Sequence, residues 1–219
     1  MRPSTWVRYE GERQHYTDEA LEAKRDFVRK SVSDPRVRTV LDLGCNAGEF
    51  SLIAESCGRQ VVAADNDEQA LEALSVRVRE RRSTVQPLYF DIGRPTPAVG
   101  WMGAETPGVL ERMAGQFDCV LMLGLIHHVL ISERAPLARI CELLYRLRPR
   151  VLVVEWVDRE DPRFQGLAGI NSALYANLDK RSFEAEIARY FAVTEAEPLA
   201  TGTRTLFRCE LRELGDRSS

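Results

Sequence analysis

Three acidic residues stand at or near the ends of successive apolar runs in the first half of the chain. Asp42 lies in "VLDLG", Asp65 ends "VVAAD", and Asp91 follows "PLYF". A carboxylate at the end of a buried strand can accept hydrogen bonds from amino and hydroxyl groups of a ligand. We predict that Asp42 faces an amine, that Asp65 binds ribose hydroxyls, and that Asp91 binds the exocyclic amino group of a base.

Glycine residues follow Asp42 and predict a tight turn that brings the backbone close to a ligand. The segment reads DxGxNxG, with Gly44, Asn46 and Gly48 between the strand and the next helix. Asparagine tolerates positive φ, so the turn can form although Asn46 stands where glycine is usual. A dinucleotide site has the spacing GxGxxG and seats a pyrophosphate at the helix N-terminus. The acid and the spacing instead predict S-adenosylmethionine (SAM), which has an amine, a ribose and an adenine but no pyrophosphate.

Two of the three acids also have a purely structural interpretation. Asp42 could stabilise the turn, and Asp91 could cap a helix. Asp65 is less ambiguous because "DND" directly follows an apolar run.

Two adjacent histidines, His127 and His128, follow the fourth apolar run in "LGLIHHV". A histidine whose pKa is about 6.5 can take a proton from a hydroxyl or an amine. In a helix that starts near Ile126, neighbouring side chains point about 100° apart, so one of the two faces the reacting group. His127 is the candidate base and His128 the weaker candidate. The alternative is that the pair packs or positions the helix.

The chain alternates apolar runs with helical stretches. A leading helix is predicted over 18–32, and five short apolar runs with intervening helices indicate a parallel sheet covered on both faces. Two final runs, "FAVTEAEPL" and "TRTLFRCELRE", are joined by a short link that predicts an antiparallel hairpin. The predicted fold class is α/β, a three-layer sandwich with a mostly parallel seven-stranded sheet that ends in this hairpin.

One domain is predicted over the whole chain. Two insertions follow the carboxyl ends of parallel strands, and open α/β sheets bind ligands at this edge. We therefore interpret both insertions as lids. The alternative is that they are plain surface loops. The segments are the N-terminal arm and helix 1–36, the core 37–157, the insertions 93–116 and 158–179, and the helix and terminal hairpin 180–214.

The motifs "VLDLGCNAGEF", "VVAADND", "FDI" and "FDCVLMLGLIHHV" stand in the order found in class I SAM-dependent methyltransferases, which the chain resembles over 37–157 and in its terminal hairpin. The "GW", "IHHV" and "DP" segments resemble a bacterial branch of that family without an assigned substrate. The resemblance implies a Rossmann-like fold, SAM as cofactor and methyltransferase activity. The cofactor contacts it implies come from Asp42, Gly44, Asn46, Gly48, Asp65, Asn66, Asp91, Ile92 and Leu123.

Aromatic residues in the arm and in both insertions predict a pocket for an apolar or planar small molecule. The alternative is that they fasten these segments to the core. Glu155 ends the fifth apolar run, where it could orient an acceptor or cap the next segment. The candidates for acceptor binding are Tyr9, Tyr16, Trp101, Glu155 and Tyr175.

Several motifs that would indicate other acceptors are absent from the sequence. "LGLI" stands where many nucleic-acid and protein amide N-methyltransferases carry an "NPPY" type of motif, and no Lys-Asp-Lys-Glu set or catechol-type metal cluster can be assembled. The prediction is a metal-independent transferase that methylates oxygen or nitrogen of a small molecule. A macromolecule-directed (RNA or protein) methyltransferase, a NAD-dependent oxidoreductase and a non-catalytic nucleotide-binding module remain alternatives.

The composition narrows the partners further. The net charge of -3 and the pI of about 5.8 disfavour nucleic acid as a partner. Five scattered cysteines without a CxxC pair are typical of reduced core thiols. Since no apolar run approaches the roughly 18 residues that span a bilayer, we expect a cytoplasmic protein without a membrane partner, whose oligomeric state is open.

Overall fold

The strands begin at residue 39 in the computed structural model, which describes residues 16–212. Tyr9, one of the candidates for acceptor binding, lies outside these residues. The strands are β1 (Thr39–Leu43), β2 (Gln60–Asp65), β3 (Gln86–Tyr89), β4 (Cys119–Met122), β5 (Val151–Val157), β6 (Phe191–Pro198) and β7 (Arg204–Leu211).

Helices separate most of these strands. Within residues 16–212 they are α1 (Asp18–Val32), α2 (Glu49–Ser56), α3 (Glu68–Arg81), α4 (Val109–Met113), α5 (Ile126–Ile131), α6 (Leu137–Arg146), α7 (Pro162–Ala168) and α8 (Lys180–Ile187). Short 3-10 turns occur at Trp101–Gly103 and Gly169–Tyr175. No helix of the described part is long and apolar enough to cross a membrane.

All seven strands form one sheet in the order β3-β2-β1-β4-β5-β7-β6. Neighbouring strands are parallel except at β7, which runs antiparallel to both β5 and β6. The chain moves outward from β1 to β3 and then returns to the other side of β1 with β4. Strand order therefore reverses between β1 and β4, the position where α/β sheets open a crevice for ligands. The predicted fold class is confirmed.

Side chains of the central strands alternate between two apolar cores. In β5, Leu152 and Val154 belong to the core covered by α4 to α8, whereas Val151 and Val153 belong to the core covered by α1, α2 and α3. Both faces of β5 are buried throughout. Because side chains alternate along a strand, Glu155 points into the core beneath α1.

Helix α1 has one buried face, and that face carries a charged residue. Ala20, Phe27 and Val28 are buried on it, and Lys24 lies between them at helical spacing with 4% of its surface exposed. The helix begins at Thr17, whose hydroxyl accepts a hydrogen bond from the amide of Ala20. Lys24 of α1 and Glu155 of β5 are therefore directed into the same core.

The two insertions contain short helical segments that periodicity does not predict. Helix α4 lies in the first, and α7 with the following 3-10 turn lies in the second. Each spans one or two turns, too short for an apolar stripe to repeat. Asp161 caps α7 through the amide of Arg163, and proline occupies the first helical position. The division of the chain into arm, core and lids remains a prediction.

Candidate functional site

A cavity of about 270 Å³ lies at the carboxyl ends of β1, β2 and β4. This is close to the lower limit of about 300 Å³ for typical small-molecule pockets. Its walls come from the turn after β1, the ends of β2 and β3, the loop before α5, and from α1, α2, α5 and β7. The site therefore occupies the crevice predicted by the reversal of strand order.

The turn after β1 has the backbone conformation that its residue types favour. Gly44, Asn46 and Gly48 all have positive φ, at 71°, 48° and 82°. A Cβ atom on Gly44 would lie 3.1 Å from the methyl carbons of Leu125, at the cavity wall. Gly48 instead packs against Leu74 of α3 and does not line the cavity. Gly44 thus permits the close approach of Leu125 to the turn, and Gly48 permits the packing of α3.

The three strand-end acids line this one cavity. Asp42 is 2% exposed and accepts a hydrogen bond of 2.6 Å from the Ser51 hydroxyl, and burial raises its pKa to about 6. Asp65 accepts from the amides of Asn46 and Asp67 at 2.8 and 2.9 Å, and burial raises its pKa as well. Both carboxylates keep lone pairs for a ligand.

Asp91 lies two residues beyond the end of β3 and accepts a hydrogen bond of 2.9 Å from the amide of Gly93. This bond closes a local turn, while the side chain also borders the cavity. Asn66, Ile92 and Leu123 line the cavity too. The structure therefore brings together every predicted cofactor residue at the cavity wall except Gly48.

Both histidines line the cavity from α5. Their ring centroids are 4.2 Å apart, and His127 is 1% exposed. Neither ring nitrogen of His127 has a hydrogen-bond partner within residues 16–212. Burial, His128 and the nearby cations of Arg204 and Lys24 lower the pKa of His127 well below its usual value. Burial and Arg163 lower the pKa of His128 to about 4, so both rings are neutral at neutral pH.

A buried charge cluster, formed by Lys24, Glu155, Arg204 and Asp161, supports one end of the cavity together with Tyr16. Lys24 Nζ donates to Glu155 Oε2 at 2.7 Å and to the Tyr16 oxygen at 3.2 Å. Arg204 donates through Nε and Nη2 to Asp161 at 2.8 and 3.1 Å. Its Nη1 donates to Tyr16 and, at 3.4 Å, to Glu155.

Sequence reasoning did not assemble this cluster. Glu155 is fully buried behind the cavity wall, and its neighbouring cations lower its pKa although burial opposes ionisation. Tyr16 does line the cavity, and burial with Glu155 beside it raises its pKa to about 12. Lys24 on the apolar face of α1 was the one signal in the sequence, because a lysine at a core position requires a partner.

The other aromatic candidates lie away from the cavity. Trp101 is 79% exposed, and the ring of Tyr175 packs edge-on against Phe164 with centroids 5.6 Å apart. Neither residue lines the cavity, and no other residue of 93–116 or 158–179 does. Within residues 16–212, no group of three or more His, Cys, Asp or Glu side chains could hold a metal ion.

Four features together are typical of one class of protein. They are the reversed strand order, the antiparallel β7, the glycine turn after β1, and the acids at the end of β2 and just beyond β3. The chain has the Rossmann-like fold of the class I SAM-dependent methyltransferases, the class that it resembles. No protein-family model matches it.

Comparison with known proteins finds several relatives, two of which are named methyltransferases. The nodulation protein NoeA of Rhizobium meliloti is 28% identical over 199 residues, which are 90% of this chain and 41% of that protein. A ribosomal protein L11 methyltransferase of Thermotoga petrophila is 31% identical over 110 residues, 49% of this chain and 34% of that one. The chain thus spans well under half of these relatives. The crystal structure of the N-methyltransferase NodS from Bradyrhizobium japonicum superposes with a TM-score of 0.61 at 16% identity, covering 90% of this chain and 98% of NodS.

Proposed function

We propose that this chain transfers a methyl group from SAM to an oxygen or nitrogen atom of a small-molecule acceptor, without a metal ion. The observation that carries the proposal is a single cavity that contains three strand-end acids and also a buried, neutral histidine. The acids suit the polar groups of SAM, and the histidine suits an acceptor that must lose a proton.

The cofactor half of the cavity fits SAM. Gly44 lines the cavity without a side chain, Asp42 adds a buried carboxylate, and Asp65 and Asp91 stand at the ends of the next two strands. In our assignment Asp42 binds the amine, Asp65 the ribose hydroxyls and Asp91 the adenine amino group. When bound, SAM supplies an electrophilic methyl group on a sulfonium.

The acceptor half centres on His127. Its buried ring has one nitrogen that can accept a proton and one that can donate a hydrogen bond, and neither is used by the described protein. Such a residue can orient a hydroxyl or amine and take its proton as the nucleophile attacks. Burial keeps water from competing for the methyl group.

Two of the relatives suggest different acceptors, a nitrogen atom and a macromolecule. NodS is named an N-methyltransferase, and transfer to nitrogen is compatible with this proposal. The L11 methyltransferase favours a second candidate function, methylation of a macromolecule, because its similarity covers about half of this chain. Incubation with radiolabelled SAM and cell extract tests this choice, since the label would enter the small-molecule, RNA or protein fraction.

Calorimetry with SAM, S-adenosylhomocysteine and NAD tests the cofactor assignment. We expect the first two to bind and NAD not to bind. Tight binding of NAD without binding of SAM would overturn the proposed function and favour an oxidoreductase.

Asp65→Ala is expected to weaken SAM binding by about 1 to 3 kcal/mol, because the ribose hydroxyls lose a charged acceptor. The change also removes the acceptor for the amides of Asn46 and Asp67, which hold the turn. Calorimetry measures the affinity, with Asp26→Ala, an exposed acid of α1, as the control. Unchanged affinity in Asp65→Ala would remove the end of β2 from the site.

The affinity for SAM is expected to fall in acid as Asp42 becomes protonated. Its pKa in the free protein is about 6, and the SAM ammonium favours the ionised form, so binding below this pH must release a proton. Affinity should rise by up to about tenfold per pH unit below the pKa and level off above it. Calorimetry across this range measures the slope, which Asp42→Asn should reduce. An unchanged slope in that variant would assign the effect to another group.

A further inference from the structure

The acceptor end of the cavity has a wall of cationic side chains. Lys24 and Arg204 both line the cavity beside His127, while Glu155 and Asp161 do not. The cluster therefore presents its positive groups to the cavity and keeps its negative groups behind them.

The two carboxylates of the cluster are already occupied by protein donors. Glu155 accepts from Tyr16, Lys24 and Arg204. Asp161 accepts from the Thr203 hydroxyl at 2.9 Å, from the Arg163 amide at 2.9 Å, and twice from Arg204. The Tyr16 hydroxyl donates to Glu155 and accepts from both cations. These three residues thus have little capacity left for a ligand.

The cations, by contrast, keep unused protons. Lys24 has three N–H protons, and within residues 16–212 two of them reach the acceptors Tyr16 and Glu155. Arg204 has five, and in the same part of the chain four reach Asp161, Tyr16 and Glu155. Among the described residues, one proton of Lys24 Nζ and one of Arg204 Nη2 therefore have no hydrogen-bond acceptor. A neutral His127 adds a third donor at the same wall.

We propose that the methyl acceptor carries an anionic oxygen group, a carboxylate or a phosphate, that binds the free donors of Lys24 and Arg204. The inference rests on the proposed function and defines the chemical class of its acceptor. An anion accepts hydrogen bonds from both cations, and such charge-assisted bonds are among the strongest that proteins make. An ammonium group at the same position would meet two positive charges and supply further donors where donors already exceed acceptors.

The acidic residues that line the cavity are assigned to the cofactor or have other neighbours. Asp42, Asp65 and Asp91 belong to the cofactor half, and Glu133 lies against Gly93 just beyond Asp91. Glu49 is paired with Arg25 at 2.6 Å. Within residues 16–212, none of these five acids accepts a hydrogen bond from Lys24 or Arg204.

Binding of small anionic and neutral probes tests the proposal without knowledge of the acceptor. Benzoate, phenyl phosphate, benzyl alcohol and benzylamine are titrated by ligand-observed NMR into protein saturated with S-adenosylhomocysteine. We expect benzoate or phenyl phosphate to bind about tenfold or more tightly than benzyl alcohol, and benzylamine to bind weakest. The stronger of the two anions then identifies the group as carboxylate or phosphate. Equal binding of anion and alcohol, or preferred binding of the amine, would overturn the proposal.

The cofactor's own carboxylate could occupy the same donors, because Lys24 also contributes to the electrostatic field at Asp42. The titrations are therefore repeated with 5′-methylthioadenosine, which lacks the amino-acid part of the cofactor. If the anions bind with methylthioadenosine but not with S-adenosylhomocysteine, the donors belong to the cofactor and the proposal is wrong. Binding with both supports a separate acceptor site.

A variant of Lys24 tests whether the anionic probes bind at Lys24 and Arg204. Lys24→Met is expected to reduce anion binding about tenfold. It leaves Glu155 with Tyr16 and Arg204 as partners, so the fold has a compensated carboxylate. Lys30→Met, an exposed lysine of the same helix, is the control and should bind the anions normally. Normal anion binding by Lys24→Met would overturn the proposal, and the wild-type comparison decides the question if this variant does not fold.

The same measurements distinguish an error in the acceptor class from an error in the proposed methyltransferase function. If S-adenosylhomocysteine binds but the anions show no preference, the acceptor class is wrong and the proposed function stands. If S-adenosylhomocysteine does not bind, the proposed function fails and the acceptor class fails with it.

Discussion

His127→Asn is expected to leave the affinity for SAM unchanged and to lower turnover by about 100-fold or more. His127 lies on α5, whereas the acids assigned to the cofactor lie at the ends of β1, β2 and β3, so the change removes none of those contacts. The asparagine can still donate a hydrogen bond, but its amide cannot take a proton from the acceptor. Calorimetry measures the first quantity, and label transfer with an identified acceptor measures the second.

The charges around His127 make its pKa depend on whether an acceptor is bound. Lys24 and Arg204 contribute to the lowered pKa of His127, which makes the free imidazole a weak base. An anionic acceptor bound to these cations would offset their field and raise the pKa, so acceptor binding would strengthen the base. The loss in His127→Asn should be partly recovered at higher pH for an acceptor that can ionise by itself.

His128→Asn is the matched control, because it changes the adjacent residue of the same helix. His128 is also buried and borders the cavity, yet we expect a smaller loss of turnover. Near-normal turnover in both variants would contradict a base. Catalysis would then depend on proximity and desolvation alone.

Glu155→Ala is expected to destabilise the protein by about 3 to 5 kcal/mol, because it leaves buried cations without their shared counterion. Glu155 is fully buried between Lys24 of α1 and Arg204 of β7. For a chain of this size, such a loss lowers the melting temperature by about 6 to 20 °C. Thermal and urea unfolding measure the effect.

A surface ion pair provides the control for Glu155→Ala. Glu195 of β6 pairs with Lys30 of α1 at 2.6 Å, with 31% and 68% of their side chains exposed. Glu195→Ala should cost at most about 1 kcal/mol, because solvent screens exposed pairs. If Glu155→Ala and Glu195→Ala lower the free energy of unfolding by the same small amount, Glu155 contributes no more to stability than an exposed ion pair does. The prediction for the buried charge cluster would then be wrong.

Much of the cofactor half could be predicted because its residues are close in sequence. The strand, the turn and the start of α2 follow one another within 39–50. A glycine turn with Asn46 at positive φ depends on local backbone energetics, which residue types report directly. Asp65 at the end of β2 and Asp91 just beyond β3 could be placed because parallel strands end at the same edge of a sheet.

The acceptor half could not be predicted in the same way. Lys24, Glu155, Asp161 and Arg204 come from α1, β5, the loop before α7 and β7. Lys24 and Glu155 are 131 positions apart, and Arg204 follows Glu155 by 49. No local pattern links such residues, and the prediction that Glu155 contacts an acceptor had no information about these partners.

The sequence by itself determined the fold class, the glycine turn and the edge of the sheet that holds the acids, because hydrophobic period and turn chemistry act over a few residues. The tertiary structure decided which side chains face the cavity. It placed Trp101 in solvent, Gly48 against α3 and Glu155 behind the wall. The physical reason is that a buried charge must find its counterions wherever the packing of distant elements provides them.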